Sequence, residues 1–73
     1  MMTESEAREA LIKITRKYLK NFPDIERLIS IIKDESRPGL PVRGVLEDMK
    51  KHRTEDYSNK DREIIEELIY LYG

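Results

Sequence analysis

The sequence predicts a small all-α domain, a four-helix bundle around one core, and three observations carry that reading. Apolar residues recur at spacings of three and four through four separate segments. Helix start and stop residues fall between those segments, and Pro and Gly gather in one nonamer, SRPGLPVRG at 36–44. No stretch alternates apolar and polar as a half-buried strand does, and there is no internal repeat or low-complexity tract. The expected helices cover about 4–21, 23–35, 41–53 and 58–72, in one domain over 1–73 with a Pro/Gly corner at 36–41.

In the first segment Ala7, Leu11, Ile14, Tyr18 and Phe22 form a stripe that Ile12, Thr15 and Leu19 widen. Thr3 and Glu6 have the spacing of a capping box. The opposite face carries Lys13, Arg16, Lys17 and Lys20, with Glu9 placed four before Lys13. Pro23 separates this helix from the next, which Asn21 is placed to cap, with Pro23 in its first turn and Asp24 and Glu26 complementing its dipole. Ile25, Leu28, Ile29 and Ile32 form the second stripe, with Ile31 at its edge. Pro38 then stops the chain, Gly39 supplies a turn and Pro41 opens the third helix. Val42, Val45, Leu46 and Met49 follow at i, i+3, i+4 and i+7, with Glu47 four before Lys51. Gly44 inside this helix costs about 1 kcal/mol against alanine, which points to a close approach by a neighbouring helix. Ser58 and Asp61 open the last helix as a capping box in its Asp form. Ile64, Ile65, Leu68, Ile69, Leu71 and Tyr72 fill about half its circumference at roughly 100° per residue, and Tyr70 falls outside that arc among Glu63, Glu66 and Glu67.

A chain of 73 residues without cysteine has little stability to spare. It buries roughly 60 % of its unfolded surface and has no disulfide or thiolate staple. Stability must come from helix packing, a second copy or a partner. The lack of cysteine fits a reducing compartment. Residues 1–20 contain no apolar signal core, and no run approaches the roughly 20 apolar residues of a membrane span. The expectation is a soluble cytoplasmic protein. Its 14 basic and 15 acidic residues lie in blocks: +2 over 1–22, −2 over 23–36, +3 over 37–54 and −4 over 55–73. Alternating blocks suit elements that attract one another and argue against a uniformly basic nucleic-acid binder.

Catalytic chemistry has little to work with. His52 is the single histidine, flanked by Lys50, Lys51 and Arg53, with Asp48 placed four before it as a hydrogen-bond partner. No second histidine or cysteine stands ready to share a metal. The serines read as caps or helix surface, so no nucleophile–base pair assembles. The spacing Gly39-x-x-x-x-Gly44 matches a phosphate loop only in its glycines, because Val45 and Leu46 stand where Lys and Ser/Thr are needed. The sequence therefore predicts no enzyme, no cofactor and no metal.

Two short stretches resemble known families. RPGLPVRGVLEDM resembles the hairpin of helix-hairpin-helix DNA-binding modules, in which a hydrophobic-Gly-hydrophobic-Gly turn offers backbone N–H groups to a phosphate. Gly39-Leu40 matches its first half, and Pro41 replaces the second glycine and deletes an N–H. That resemblance implies nucleic-acid backbone contacts by Arg37, Gly39, Arg43, Lys50, Lys51 and Arg53. PGLPVRGVL and YSNKDREIIEELIYLYG fall where class IIa bacteriocin immunity proteins have comparable elements. Those are intracellular helical bundles that protect a producer from its own peptide. This chain is shorter and ends at Gly73 without the family's C-terminal tail.

Surface docking is the favoured function. The closing LIYLYG places Leu68, Ile69, Tyr70, Leu71 and Tyr72 together, more apolar and aromatic surface than one small core hides. The expected partner is another protein or a second copy of the chain. The basic face of the first helix (Lys13, Arg16, Lys17, Lys20) is a further candidate for an acidic partner or an anionic membrane surface.

Overall fold

The computed structural model describes residues 2–36 and 38–73, and its four helices are α1 (Glu4–Tyr18), α2 (Ile25–Lys33), α3 (Val42–His52) and α4 (Asn59–Tyr72), with no strand among the described residues. Thr3 starts α1 as the spacing predicts. Its side chain accepts from the Glu6 N–H, and the Glu6 carboxylate accepts in return from the Thr3 N–H. That backbone donor holds the Glu6 carboxyl below its usual range.

α1 is the hub of the fold. It packs against each of the other three helices, and α3 also packs against α4. Ala7, Leu11, Ile14, Thr15 and Tyr18 are buried along it. They meet Leu28, Ile29 and Ile32 of α2, Val42, Val45 and Met49 of α3, and Ile65 and Leu68 of α4 in one core, which Leu19 and Leu40 complete from the connections. Thr15 is satisfied within its own helix, donating to the Leu11 carbonyl at 2.7 Å. Among the described residues no helix is long and apolar enough to cross a membrane.

The helix ends differ from expectation for local reasons. α1 stops at Tyr18 rather than about 21, because Leu19 leaves helical geometry to bury its side chain, and Pro23 bars Phe22 from the helical region. The Phe22 N–H instead donates to the Leu19 carbonyl, and the Ile25 N–H to that of Phe22. Among the described residues neither Asn21 nor any other side chain caps the N-terminus of α2. Asp24 holds the N-cap position, so Pro23 lies before the helix rather than in its first turn. α2 ends at Lys33 because the Asp34 carboxylate turns back to accept from the Ser36 N–H and hydroxyl at 2.9 and 2.6 Å. The ion pairs expected of Glu9 with Lys13 and of Glu47 with Lys51 do not form.

Arg8 was not legible as a structural residue. It lies on the apolar side of α1 with its side chain only 8 % exposed. Its guanidinium donates to the Ile32 and Asp34 carbonyls at the end of α2 and to Glu4 at 3.1 Å. A buried cation thus caps the negative end of a neighbouring helix. Gly44 also departs from expectation. Nothing lies within 4 Å of where its Cβ would be, so no neighbouring helix requires a bare backbone there.

Arg8→Met keeps the apolar stem and removes the donors, and is expected to lower stability by about 2 kcal/mol in urea denaturation; an unchanged midpoint would refute the cap. Gly44→Ala is expected to raise stability by about 0.5–1 kcal/mol, because the exposed helical position gains propensity without a clash; a lower melting temperature would contradict it.

Candidate functional site

α4 carries the candidate docking surface, and its placement depends on one polar cluster. Ser58 caps the helix by accepting from the Asp61 N–H at 3.1 Å. The reciprocal half of the expected box is not made directly. Instead the Tyr18 hydroxyl stands between: it accepts from the Ser58 N–H at 3.0 Å and donates to the Asp61 carboxylate at 2.6 Å. Lys17 adds a second donor to the same carboxylate at 2.7 Å. The end of α1 is thereby joined to the start of α4. Tyr57 closes the cluster edge-on to the Tyr18 ring, with centroids 4.8 Å apart, and burial pushes its phenol above the usual range. The Thr54 N–H donates to the Tyr18 carbonyl.

The electrostatics follow from that geometry. The Lys17 ammonium, then the Tyr18 hydroxyl, hold the Asp61 carboxyl down from 3.8 to about 2. Asp61 in turn raises Lys17. The Asp61 side chain is 13 % exposed but that of Lys17 is half-exposed, so solvent still screens this pair in part.

With α4 fixed in this way, its faces separate. Ile65 and Leu68 are buried, and Ile64 and Tyr72 are half-buried against the core. Ile69 at 43 % and Tyr70 at 83 % exposure are the large hydrophobics left to solvent among the described residues. The expected patch over 68–72 is corrected accordingly. Leu68 is a core residue, Leu71 and Tyr72 are half-buried, and the patch reduces to Ile69 and Tyr70. The reason is the rotation of about 100° per residue, which carries consecutive side chains to different faces.

Two grooves flank α4. One, of about 510 Å³, lies against α3 and is lined by Arg43, Leu46, Glu47, Lys50 and Ile69. Beside it the Arg43 Nε donates to the Gly73 carbonyl at 2.9 Å, a cation at the negative end of α4. The other, of about 410 Å³, lies against α1. Ala10, Ile14 and Ile64 form its apolar part, and Lys13, Lys17, Lys60 and Asp61 its charged rim. Lys60 was not singled out by the sequence, because only the packing of α4 on α1 brings it beside Lys13 and Lys17.

The anion contacts expected around the corner do not converge. Arg37 lies outside the described residues. Gly39 adopts φ +76°, as a turn glycine does. Pro41, with φ −79° and ψ 54°, is the centre of an inverse γ-turn, in which the Val42 N–H donates to the Leu40 carbonyl at 2.8 Å. An N–H at the start of α3 is therefore spent internally, and Pro41 precedes the helix instead of opening it. A cavity of about 210 Å³ lies beside this turn, lined by Ile31, Asp34 and residues 38–41. Arg43 and Lys50 share the α3 groove, and Lys51 is exposed. Arg53 turns to the Tyr57 ring at 5.0 Å and to Asp56 at 3.2 Å. On α1, Lys13, Arg16 and Lys17 are exposed, with Arg16 paired to Glu26 at 3.3 Å, and Lys20, expected on the same face, lies beyond the end of the helix in the turn that follows. His52 packs on the Phe22 ring rather than pairing with Asp48. No three metal-ligating side chains converge among the described residues.

No family model matches the chain, and the searches of curated proteins and of solved structures found no match either.

Asp61 generates a pH dependence. A carboxylate held below its unfolded value contributes its full stability above about pH 4 and loses it as pH falls through 2. The wild-type chain is expected to be more stable than Asp61→Asn at pH 5–7 by on the order of 1–2 kcal/mol, and the gap to narrow below about pH 4 and close only below about pH 2. A gap that persists into acid would contradict the ionic role.

Proposed function

We propose that the protein is a non-enzymatic, regulatory interaction module that docks on another polypeptide through the outer side of α4. The observation that carries this reading is the exposure of Ile69 and Tyr70, consecutive on one helix, in a chain whose other large apolar residues are buried or half-buried among the described residues. Tyrosine is enriched at interface centres because its ring gives contact area at little entropic cost and its hydroxyl keeps a hydrogen bond. Ile69 faces the α3 groove beside Leu46, with Arg43 and Lys50 as a cationic edge. Tyr70 stands on the acidic outer face with Glu63, Glu66 and Glu67, so a partner would meet an aromatic anchor within a charged rim. The cysteine-free composition is consistent with work in the reducing cytoplasm.

The test is a comparison of wild type with Tyr70→Ala and Ile69→Ser as immobilised bait. Both positions are solvent-exposed, so circular dichroism should show an unchanged fold and a melting temperature nearly that of wild type. Capture of partner chains is expected to weaken by roughly thirtyfold for an anchor residue. Equal capture by the doubly substituted chain would remove α4 as the docking element.

A further inference from the structure

We propose that the polypeptide docked on α4 is a second copy of this chain, related to the first by a two-fold axis running along the α1–α4 groove. The inference rests on the reading of α4 as a docking surface and names the occupant of its α1 side; Ile69, on the α3 side, lies outside this contact. α1 and α4 lie side by side and antiparallel, since Lys17 meets Asp61 at one end and the Met2 N–H meets Glu67 at the other. Their outer faces have opposite sign. α1 presents Lys13, Arg16 and Lys17, with Glu9 as the acid among them and Lys20 beyond its last turn. α4 presents Glu63, Glu66 and Glu67 around Tyr70, with Lys60 and Arg62 at its N-terminal end. Lys13, Lys20, Lys60, Glu63 and Glu66 make no ion pair among the described residues.

Such a surface is complementary to itself in one orientation only. A two-fold axis along the groove lays each α1 on the α4 of the other copy, so cations meet carboxylates twice. A two-fold axis across the groove lays α1 on α1 and α4 on α4, which sets like charge against like. The register also agrees. Measured from the level of the Lys17–Asp61 pair, Lys13 lies about 6 Å along α1 and Glu63 about 3 Å along α4, by the helical rise. The axis keeps those levels, so Lys13 of one copy comes opposite Glu63 and Glu67 of the other, while Lys60 comes near Lys17 of the other copy, a like-charge contact that weakens the association. Ala10 and Ile64, both half-buried, supply apolar contact between the charged rows. Two helices of this length offer roughly 450 Å² a side, below the about 800 Å² of a stable interface, so the dimer is weak and salt-sensitive.

The experiment is sedimentation of the full chain from about 10 μM to 1 mM at roughly 50 and 300 mM salt, as wild type, Lys13→Glu, Glu63→Lys, an equal mixture of the two, and Tyr70→Ala. The expected result is a wild-type dimer with a dissociation constant on the order of 100 μM at low salt, weakened about tenfold or more by either reversal. The mixture should restore association in part, because in the heterodimer the two reversed residues face each other and the second Lys13–Glu63 contact is unchanged. A wild-type chain that stays monomeric to 1 mM at low salt overturns the proposal, as does a dimer indifferent to both reversals. If that indifferent dimer is abolished by Tyr70→Ala, docking through α4 stands and only the two-fold arrangement falls. If the chain is monomeric and Tyr70→Ala captures partners as wild type does, both fall.

Discussion

Tyr18 sits at the last helical position of α1, and the rest of the fold is organised about its hydroxyl. That one oxygen accepts from the N-cap N–H of α4 and donates to the carboxylate three residues into the same helix. A direct capping box satisfies orphan donors within a single helix. Here the same two groups are satisfied through a residue some forty positions away, so starting α4 and docking it on α1 are one event. The ring is buried and its carbonyl accepts from Thr54, so the same residue also fixes the chain between α3 and α4. In a domain this small, such coupling replaces the redundancy that a larger core would provide.

Arg8 does at the other end of α1 what Tyr18 does at its C-terminus. Its guanidinium takes carbonyls from the last turn of α2, where orphan acceptors would otherwise need water. α1 therefore holds one neighbour by its C-terminal end and another by its N-terminal end, through polar groups buried beside apolar contacts. Buried polar groups with defined partners fix which helices meet, whereas apolar burial alone tolerates sliding.

The helices were legible because their apolar residues keep a period near 3.6, and every predicted stripe from Ala7 to Leu68 enters the core. The boundaries were less so. Leu19 reads as one more helical apolar residue, and only the need to bury it while reversing direction before Pro23 ends α1 early. Arg8 was missed although Leu11 and Thr15 mark its side of the helix as inward, because arginine is ordinarily assigned to solvent. Of the candidate surface, the outward turn of Tyr70 was readable from helical phase. The confinement of the patch to two residues was not, since which half of an apolar arc a small bundle covers depends on where its neighbours stop. The groove rim formed by Lys13, Lys17 and Lys60 joins two segments distant in sequence, and no spacing rule reaches across that distance.

α4 contributes two fully buried side chains, Ile65 and Leu68, whereas α1 contributes six. The helix that carries the exposed tyrosine is thus also the one most lightly anchored. A helix held by fewer buried side chains opens at a lower free energy than the hub it packs on. Anything that binds its outer face is linked to that local equilibrium: it stabilises the closed helix and gives up part of its affinity in doing so. Occupancy at α4 would then be read throughout the domain as a change in rigidity, without any helix moving to a new position.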